Sequence, residues 1–206
     1  MKTINRYIVE KLRINKPKTT SIVRHTLFPN NRKELLKMVR DEIKQNGNEC
    51  NLNHIDTSKI TDIGHLFSGT EFNGDISQWD VSKVKNMRGT FYDSIFDGDI
   101  SQWDVSSVQD MECMFYHSHF NGDISLWDVS KVKHMEWMFA HSYFNDDISE
   151  WNVSNVESMY SMFRHSDFNQ NISKWQLKKN CDTKNMFLEC GTKQSYKPYK
   201  NGNRIE

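Results

Sequence analysis

The chain has 206 residues, of which 36% are hydrophobic and 12% aromatic, and its formal net charge is zero. This composition excludes a disordered chain, and the lack of an apolar run long enough for a signal peptide or a membrane span leads us to expect a soluble, cytoplasmic protein. The charge is unevenly distributed, because residues 1–47 carry 12 Lys/Arg against 4 Asp/Glu whereas residues 48–191 carry 11 against 22.

Residues 1–49 are predicted to form a basic, helical region that caps the body of the protein. Its first element is a helix over residues 3–14, in which an apolar residue recurs at every fourth position, so that these residues form one stripe. Its second is a short strand over residues 21–28, where β-branched residues are frequent. The alternative is a separate nucleic-acid-binding arm, because lysine and arginine neutralise phosphates.

A second helix of this region has clear boundary signals. Asn31 is a suitable N-cap, with Glu34 three positions later as in a capping box. Apolar residues follow at helical spacing, and Gly47 provides a stop. The sequence therefore predicts a helix between these two signals.

Residues 50–191 repeat with a period of 24, in four full units with an atypical unit at each end. Several apolar columns return together in one phase. They are Phe72/Phe96/Phe120/Phe144/Phe168, Ile76/Ile100/Ile124/Ile148/Ile172, Trp79/Trp103/Trp127/Trp151/Trp175, Val84/Val108/Val132/Val156, Met87/Met111/Met135/Met159 and Phe91/Phe115/Phe139/Phe163. Such units bury their apolar faces only by stacking on each other.

Each unit is predicted to contain one strand, one turn and one helix. Residues 79–81 alternate as in a short strand. Ser82 then resembles a helix N-cap, and Val84, Met87 and Phe91 have the i, i+3, i+7 spacing of one helical face. The expected fold is therefore an α/β solenoid of strand-turn-helix repeats with a small helical N-terminal cap.

The motif G-D-I-S-x-W-D-V-S-x-V-x-x-M-x-x-M-F resembles the BspA-type leucine-rich repeat, a family of bacterial repeat proteins. The resemblance implies a leucine-rich-repeat-like solenoid and a role in adhesion or protein recognition. Well-known members are surface proteins, whereas we expect neither a secretion signal nor a lipidation cysteine in this chain. It therefore resembles the short, signal-less members found in bacterial and phage genomes.

The C-terminal segment and the cysteines suggest no further domain. Residues 192–206 contain four basic side chains with a proline and a glycine, and are predicted to be a flexible basic tail. The four cysteines share no regular spacing, so free thiols are expected and no metal site is predicted. Whether Cys181 and Cys190 ever pair is left open.

Two polar columns have the composition of possible cation sites. Asp75, Asp99, Asp123 and Asp147 form one column, and Asp80, Asp104 and Asp128 form another. Calcium binding is one interpretation, but asparagine replaces aspartate later in both columns, which favours hydrogen bonding within turns. A third column, His117/His141/His165, is expected to complement helix C-termini. We therefore expect no cofactor, no metal and no catalytic residue.

Columns whose residue type drifts from unit to unit are predicted to face solvent and to bind a partner. The alternative is that some of their aromatic residues pack between the helices of adjacent repeats. Four aromatic residues stand out in them, together with a histidine and a glutamate. These candidate partner-binding residues are Tyr116, Trp137, Tyr143, Tyr160, His119 and Glu136. A second candidate surface is the outward column Gln78/Gln102/Leu126/Glu150/Lys174.

These observations favour a non-enzymatic protein–protein interaction module. One expectation is a phage or mobile-element factor that binds a host protein in the cytoplasm. The first alternative is a structural or adhesive component of a virion or cell surface. The second is nucleic-acid binding through the basic N-terminal segment. Neither the partner nor the oligomeric state follows from the sequence.

Overall fold

The computed structural model describes residues 24–205. In this part of the chain the regular elements are one α-helix, α1 (Arg32–Asn46), one 3-10 turn (Gln194–Tyr196), and a two-stranded antiparallel sheet of β1 (Tyr199–Lys200) and β2 (Asn203–Arg204). The helix predicted over residues 3–14 lies outside the described residues. Of the strand predicted over residues 21–28, the described part makes a single parallel bridge, from Leu27 to Ile55.

Helix α1 confirms the prediction made from its boundary signals. The Asn31 side chain accepts a hydrogen bond from the backbone N–H of Glu34. The N–H of Gly47, where φ is +84°, donates to the carbonyl of Ile43 and ends the helix. Leu35 and Val39 are buried against the repeats, so the helix covers their N-terminal end.

The predicted α/β solenoid of strand-turn-helix repeats, like that of leucine-rich repeats, is wrong. Residues 50–191 contain turns and isolated bridges, but neither an α-helix nor a strand. Residues 79–81, predicted as a strand, have no ladder partner. Ser82, predicted as a helix N-cap, instead donates its N–H to Asp80 Oδ1 within a turn.

The helix predicted in each unit does not form because every second backbone N–H donates to a carbonyl of the next unit. The N–H groups of Met87 and Phe91 donate to the carbonyls of Asp110 and Met114, 2.8 and 2.9 Å away in the next unit. Thr90 lies between them and closes a tight turn onto the carbonyl of Met87. An α-helix requires each N–H to bond four residues back, so the two patterns are incompatible.

Left-handed backbone also interrupts this segment at two fixed positions. Gly89 has φ +58° and Asp93 has φ +51°, and their equivalents in the other units are left-handed as well. These equivalents are His65, Cys113, Trp137, Ser161 and Asn185 for the first position, and Gly69, His117, His141, His165 and Glu189 for the second. Since a right-handed helix has negative φ throughout, the apolar spacing alone was misleading. We call residues 87–93 and their equivalents the turn segment of each layer.

Consecutive units stack as layers in parallel register. Bridges join Asp62, Asn86, Asp110, His134, Ser158 and Asp182 in sequence, each one repeat period from the last. The rings of Phe67, Phe91, Phe115, Phe139, Phe163 and Phe187 follow the same register, with centroids 5.5 to 5.8 Å apart. The apolar columns recognised in the sequence thus form one continuous core between layers.

Side chains from outside the layers bond to backbone carbonyls at both ends of the stack. The Arg32 guanidinium donates to the carbonyl of Gly64 in the first layer, and the distance from Nε to the carbonyl oxygen is 2.9 Å. At the other end, Lys200 Nζ donates to the carbonyl of Cys181. The segment predicted to be a flexible tail therefore carries defined structure, and Ile205 is buried in the core cluster.

Candidate interaction surface

Four aromatic rings from four successive layers meet along the turn segments. Tyr92 and Tyr116 are stacked with ring centroids 4.9 Å apart. Tyr116 meets the edge of Trp137 at 6.1 Å, and Trp137 meets Tyr160 at 5.4 Å. We call these four residues the aromatic belt. All four side chains keep part of their surface exposed to solvent.

The belt is continuous although its residues come from three different columns. Tyr92 and Tyr116 occupy equivalent positions, whereas Trp137 stands at the left-handed position that Gly89 fills two layers earlier. Tyr160 is equivalent to Arg88. The stacked turn segments therefore bring together aromatic residues that no single sequence column contains.

Polar and cationic side chains border the belt. The Arg164 guanidinium lies 5.7 Å from the centre of the Trp137 ring, a cation–π distance. His141 lies 5.4 Å from Tyr116 and stacks on His165 at 4.7 Å. Burial, followed by electrostatic repulsion from His165, holds the pKa of His141 below its ordinary value, which favours the neutral ring.

Three buried polar atoms beside the belt have no hydrogen-bond partner within residues 24–205. They are Glu136 Oε2, Ser161 Oγ and Arg164 Nε. Glu136 precedes Trp137 in the chain, and Ser161 is the equivalent of Trp137 in the next layer. Buried polar atoms are normally satisfied, so these atoms leave hydrogen-bonding capacity unused around the tryptophan.

A cysteine lies under the same surface, but its thiol is unreactive. Cys113 is the equivalent of Trp137 in the preceding layer, and burial raises the pKa of its thiol to about 11. The thiol is therefore protonated at physiological pH and is a poor nucleophile. All four cysteines are free, and Cys181 and Cys190 are not paired.

The chain also matches a known protein family over most of its length. The family described as "Mycoplasma protein of unknown function, DUF285" matches residues 33–143 and 116–199, which include most of α1 and the entire belt. The chain belongs to the DUF285 family. No curated protein and no solved structure matches it.

In this DUF285 protein, three of the six candidate residues chosen from the sequence come together. Tyr116, Trp137 and Tyr160 belong to the belt. His119 and Tyr143 form a separate pair, with an edge-to-face contact of 5.3 Å and with 59% of Tyr143 exposed.

The sixth candidate residue is not a freely exposed acid. Glu136 is partly buried, and its Oε1 lies 3.2 Å from Nδ1 of His134. Sequence reasoning also missed two members of this surface, Tyr92 and Arg164. The signal was present, because both belong to the drifting column that contains Tyr116.

Not every drifting position of the DUF285 chain faces solvent. Gly89, Ala140 and Ser161 are buried, contrary to the prediction for their columns. At Gly89 the ring of His65 from the preceding layer fills the space beside the backbone, since a Cβ there would lie 2.4 Å from it. The outward column Gln78/Gln102/Leu126/Glu150/Lys174 is exposed at every position, as predicted.

The aspartate columns accept hydrogen bonds within turns, as the interpretation without calcium predicted. Asp99 Oδ1 accepts the N–H of Ser101 at 2.9 Å, and Asp104 Oδ1 accepts that of Ser106 at 3.0 Å. The same bond recurs at Asp75, Asp80, Asp123, Asp128, Asp147, Asn152 and Asn171. Over residues 24–205, no three His, Cys, Asp or Glu side chains converge in a way that could hold a metal ion.

The histidine column has a different environment from the one predicted. Because no helix ends there, no helix dipole acts on these rings. His117 instead lies 2.6 Å from Asp93 Oδ1, and His165 lies 2.8 Å from Glu189 Oε2. Each contact joins neighbouring layers.

Helix α1 is too short and too polar to span a bilayer, and the rest of the described chain contains no other α-helix.

Proposed function

We propose that this chain is a non-enzymatic protein–protein interaction module and that the aromatic belt is its contact surface. The observation that supports this best is the geometry of the belt, in which four partly exposed rings from successive layers contact each other. Tyrosine, tryptophan and arginine are the residues that dominate binding energy at protein interfaces. Tyr116, Trp137 and Tyr160, with Arg164 beside them, have this composition.

Preorganisation strengthens the proposal. Trp137 is held between Tyr116 and Tyr160, so its side chain has lost much of its rotational freedom before any partner arrives. A partner therefore avoids the entropy cost of ordering these rings, which is about 0.5 to 1.5 kcal/mol for each immobilised side chain. The layers give the belt a rigid support because the turn segments that carry it each bond to the next layer.

The pair His119 and Tyr143 extends the proposed surface. Ile95 is the equivalent of His119 in the preceding layer and is also exposed. An exposed column with isoleucine, histidine and tyrosine in successive layers offers apolar area with polar edges. We assign it a supporting role, because it is a single contact between two rings, whereas the belt is a continuous row of four.

We further propose that the chain is related to the BspA-type repeat proteins and acts in the cytoplasm. The repeat motif supports the relationship, since its Trp, Met and Phe columns return in one fixed phase. A host protein bound by a phage or mobile-element factor is the proposed partner. No catalytic role is proposed for any side chain of the belt.

The proposal is tested by affinity capture from a bacterial lysate with three forms of the chain. The first is the native protein, and the second is Trp137→Gly, which removes the ring while tolerating the left-handed backbone as Gly89 does. The third is Leu126→Ala, a matched control at a 74% exposed residue outside the belt. We expect a protein retained by the native chain and by Leu126→Ala, but lost from Trp137→Gly.

Two other results would reject the belt as the contact surface. A captured protein that is lost from Gln102→Ala and Glu150→Ala, but kept by Trp137→Gly, would place binding on the outward column. Retention of nucleic acid that falls steeply with salt would instead favour the basic N-terminal segment, because phosphate binding depends on counterion release.

A further inference from the structure

The last layer of the stack presents a row of backbone donors without acceptors. In the layer before it, four N–H groups donate to the last layer across 2.7 to 3.0 Å, from Met159, Ser161, Phe163 and His165 to the carbonyls of Asp182, Lys184, Met186 and Leu188. The equivalent donors of the last layer are Thr183, Asn185, Phe187 and Glu189. Their N–H groups find no acceptor among residues 24–205. We call this row the open edge.

The C-terminal segment continues the stack beside the open edge but supplies no acceptor to its N–H groups. The carbonyl of Tyr196 accepts the N–H of Ile172, and the N–H of Lys193 bonds to Asn169 Oδ1. Lys200 satisfies the carbonyl of Cys181, as described above. The segment therefore replaces part of a missing layer but leaves the turn segment of the last layer unpaired.

A cavity of about 580 Å³ lies over the open edge. Phe187, Leu188 and Ile205 provide apolar lining, and Leu188 is 40% exposed. The charged groups of the lining are Lys184, Lys200, Arg204 and Glu189. Since Glu189 is paired with His165 at 2.8 Å, the lining has an excess of positive charge.

We infer that the open edge binds an acidic segment of a partner protein. In the preceding layers, donors at alternate positions meet carbonyls from every second residue of the next turn segment, and a bound segment would present its backbone carbonyls in the same way. The excess of positive charge favours carboxylates on the incoming segment. This site is separate from the aromatic belt, and the inference does not rest on the proposed function.

Two other occupants fit the edge less well. Residues 1–23 of this chain carry six basic side chains and one acidic side chain. Their net charge is positive, like that of the cavity lining, so the two would repel each other. A second copy stacked head to tail would offer the carbonyl edge of its first layer. There, however, Arg32 occupies the carbonyl of Gly64, and α1 covers the apolar end. An acidic segment from another protein avoids both conflicts.

The test uses the full chain labelled with ¹⁵N and a fluorescein-labelled peptide of alternating glutamate and valine. A peptide of alternating lysine and valine serves as its charge control. We expect the acidic peptide to bind, and amide exchange at Asn185, Phe187 and Glu189 to slow at least about tenfold at saturation. Exchange at Phe163, which is already bonded to the next layer, should not change.

A pair of lysine variants tests the charge requirement. Lys184→Glu reverses a charge of the cavity lining, whereas Lys179→Glu makes the same change in net charge at an exposed residue outside it. We expect the first to weaken peptide binding about threefold to fivefold and the second to leave it unchanged. Equal effects of the two variants would overturn the inference.

Three further outcomes would also overturn it. One is the absence of binding by the acidic peptide, and another is equal binding by the lysine peptide. The third is slow exchange at the open edge before any peptide is added. If that protection grows with protein concentration, a second copy is the occupant. If deletion of residues 1–23 abolishes the protection, residues 1–23 are the occupant.

Discussion

The indole Nε1 of Trp127 donates a hydrogen bond to the carbonyl oxygen of Ile100, 3.2 Å away in the preceding layer. The other tryptophans of the column make the same bond 27 residues back, at 3.0 to 3.1 Å. Each indole therefore buries a large apolar surface and also satisfies a backbone carbonyl of its neighbour. Much of the stability of the stack lies between layers rather than within them.

Trp127→Ala should lower the free energy of unfolding by about 3 to 5 kcal/mol, because it empties a site in which the ring is almost fully buried. Urea denaturation measures this loss. Trp127→Phe retains an aromatic ring but removes the N–H donor, and should cost less than the alanine change. An unchanged unfolding midpoint for Trp127→Ala would show that the column carries little of the stability.

Gly74→Ala should destabilise the protein more than Gly122→Ala, although the two glycines are equivalent. A Cβ at Gly74 would overlap the backbone carbonyl oxygen of Cys50, which cannot move aside easily. At Gly122 the nearest backbone atom is 3.9 Å away and only the Phe120 ring is close. We expect losses of about 3 and about 1 kcal/mol respectively in the free energy of unfolding. Equal losses would contradict this account of the first layer.

The sequence predicted helix α1 and the apolar columns, but it did not predict the shape of the repeat. The cap at Asn31 and the stop at Gly47 act locally, so they could be recognised without knowing the fold. The spacing of Val84, Met87 and Phe91 suits a helical face and also suits the observed turns. The choice between them is made by hydrogen bonds to the neighbouring layer, a full repeat away in the chain, which local propensity does not contain.

The belt was predicted only in part for a related reason. Tyr116, Trp137 and Tyr160 stood out as aromatic residues in drifting columns. Their meeting depends on stacking different columns in successive layers, so the drifting column marked Tyr92 and Arg164 as variable without showing that they join Tyr116 and Trp137. The burial of Ser161 has the same origin, since it lies between layers.

Acid should destabilise the protein partly through Asp128. Hydrogen bonds from the hydroxyl and the backbone N–H of Ser130 hold the pKa of this carboxyl below its ordinary value. A lowered pKa in the folded state contributes stability above the unfolded pKa, and that stability is lost as the pH falls through the folded pKa. The free energy of unfolding should therefore decrease below about pH 4.

Asp128→Asn provides the control for this pH dependence. Asparagine cannot titrate but still accepts the turn hydrogen bond, as Asn152 does from the N–H of Ser154 at 3.2 Å. The variant should remain folded and should lose less stability than the native chain between about pH 4 and pH 2. Identical pH profiles for the two proteins would exclude a contribution from this carboxyl.

Calcium should not change the stability of the protein. The Oδ1 atoms of Asp75, Asp99 and Asp123 each accept an N–H within their own turn. Melting temperatures measured with excess calcium and with chelator should agree within about one degree. A melting temperature that rises with calcium and then saturates would indicate a binding site on the folded state.

Tyr143→Ala should weaken a partner that binds the belt and its extension by about 2 kcal/mol or more. The side chain is largely exposed and contacts only one other ring, that of His119, so the free energy of unfolding should stay within about 0.5 kcal/mol of the native value. Calorimetric titration and urea denaturation measure the two quantities. Full affinity in this variant, with loss of affinity in Trp137→Gly, would confine binding to the belt itself.

The two end contacts, Arg32 with Gly64 and Lys200 with Cys181, restrict how a chain of this kind can change in length. Each involves only the first or the last layer, so inserting or deleting one whole repeat unit between them leaves both contacts intact. A fraction of a unit would shift every following column and carry phenylalanines out of the core. Gene variants of different length are therefore expected to differ by complete units.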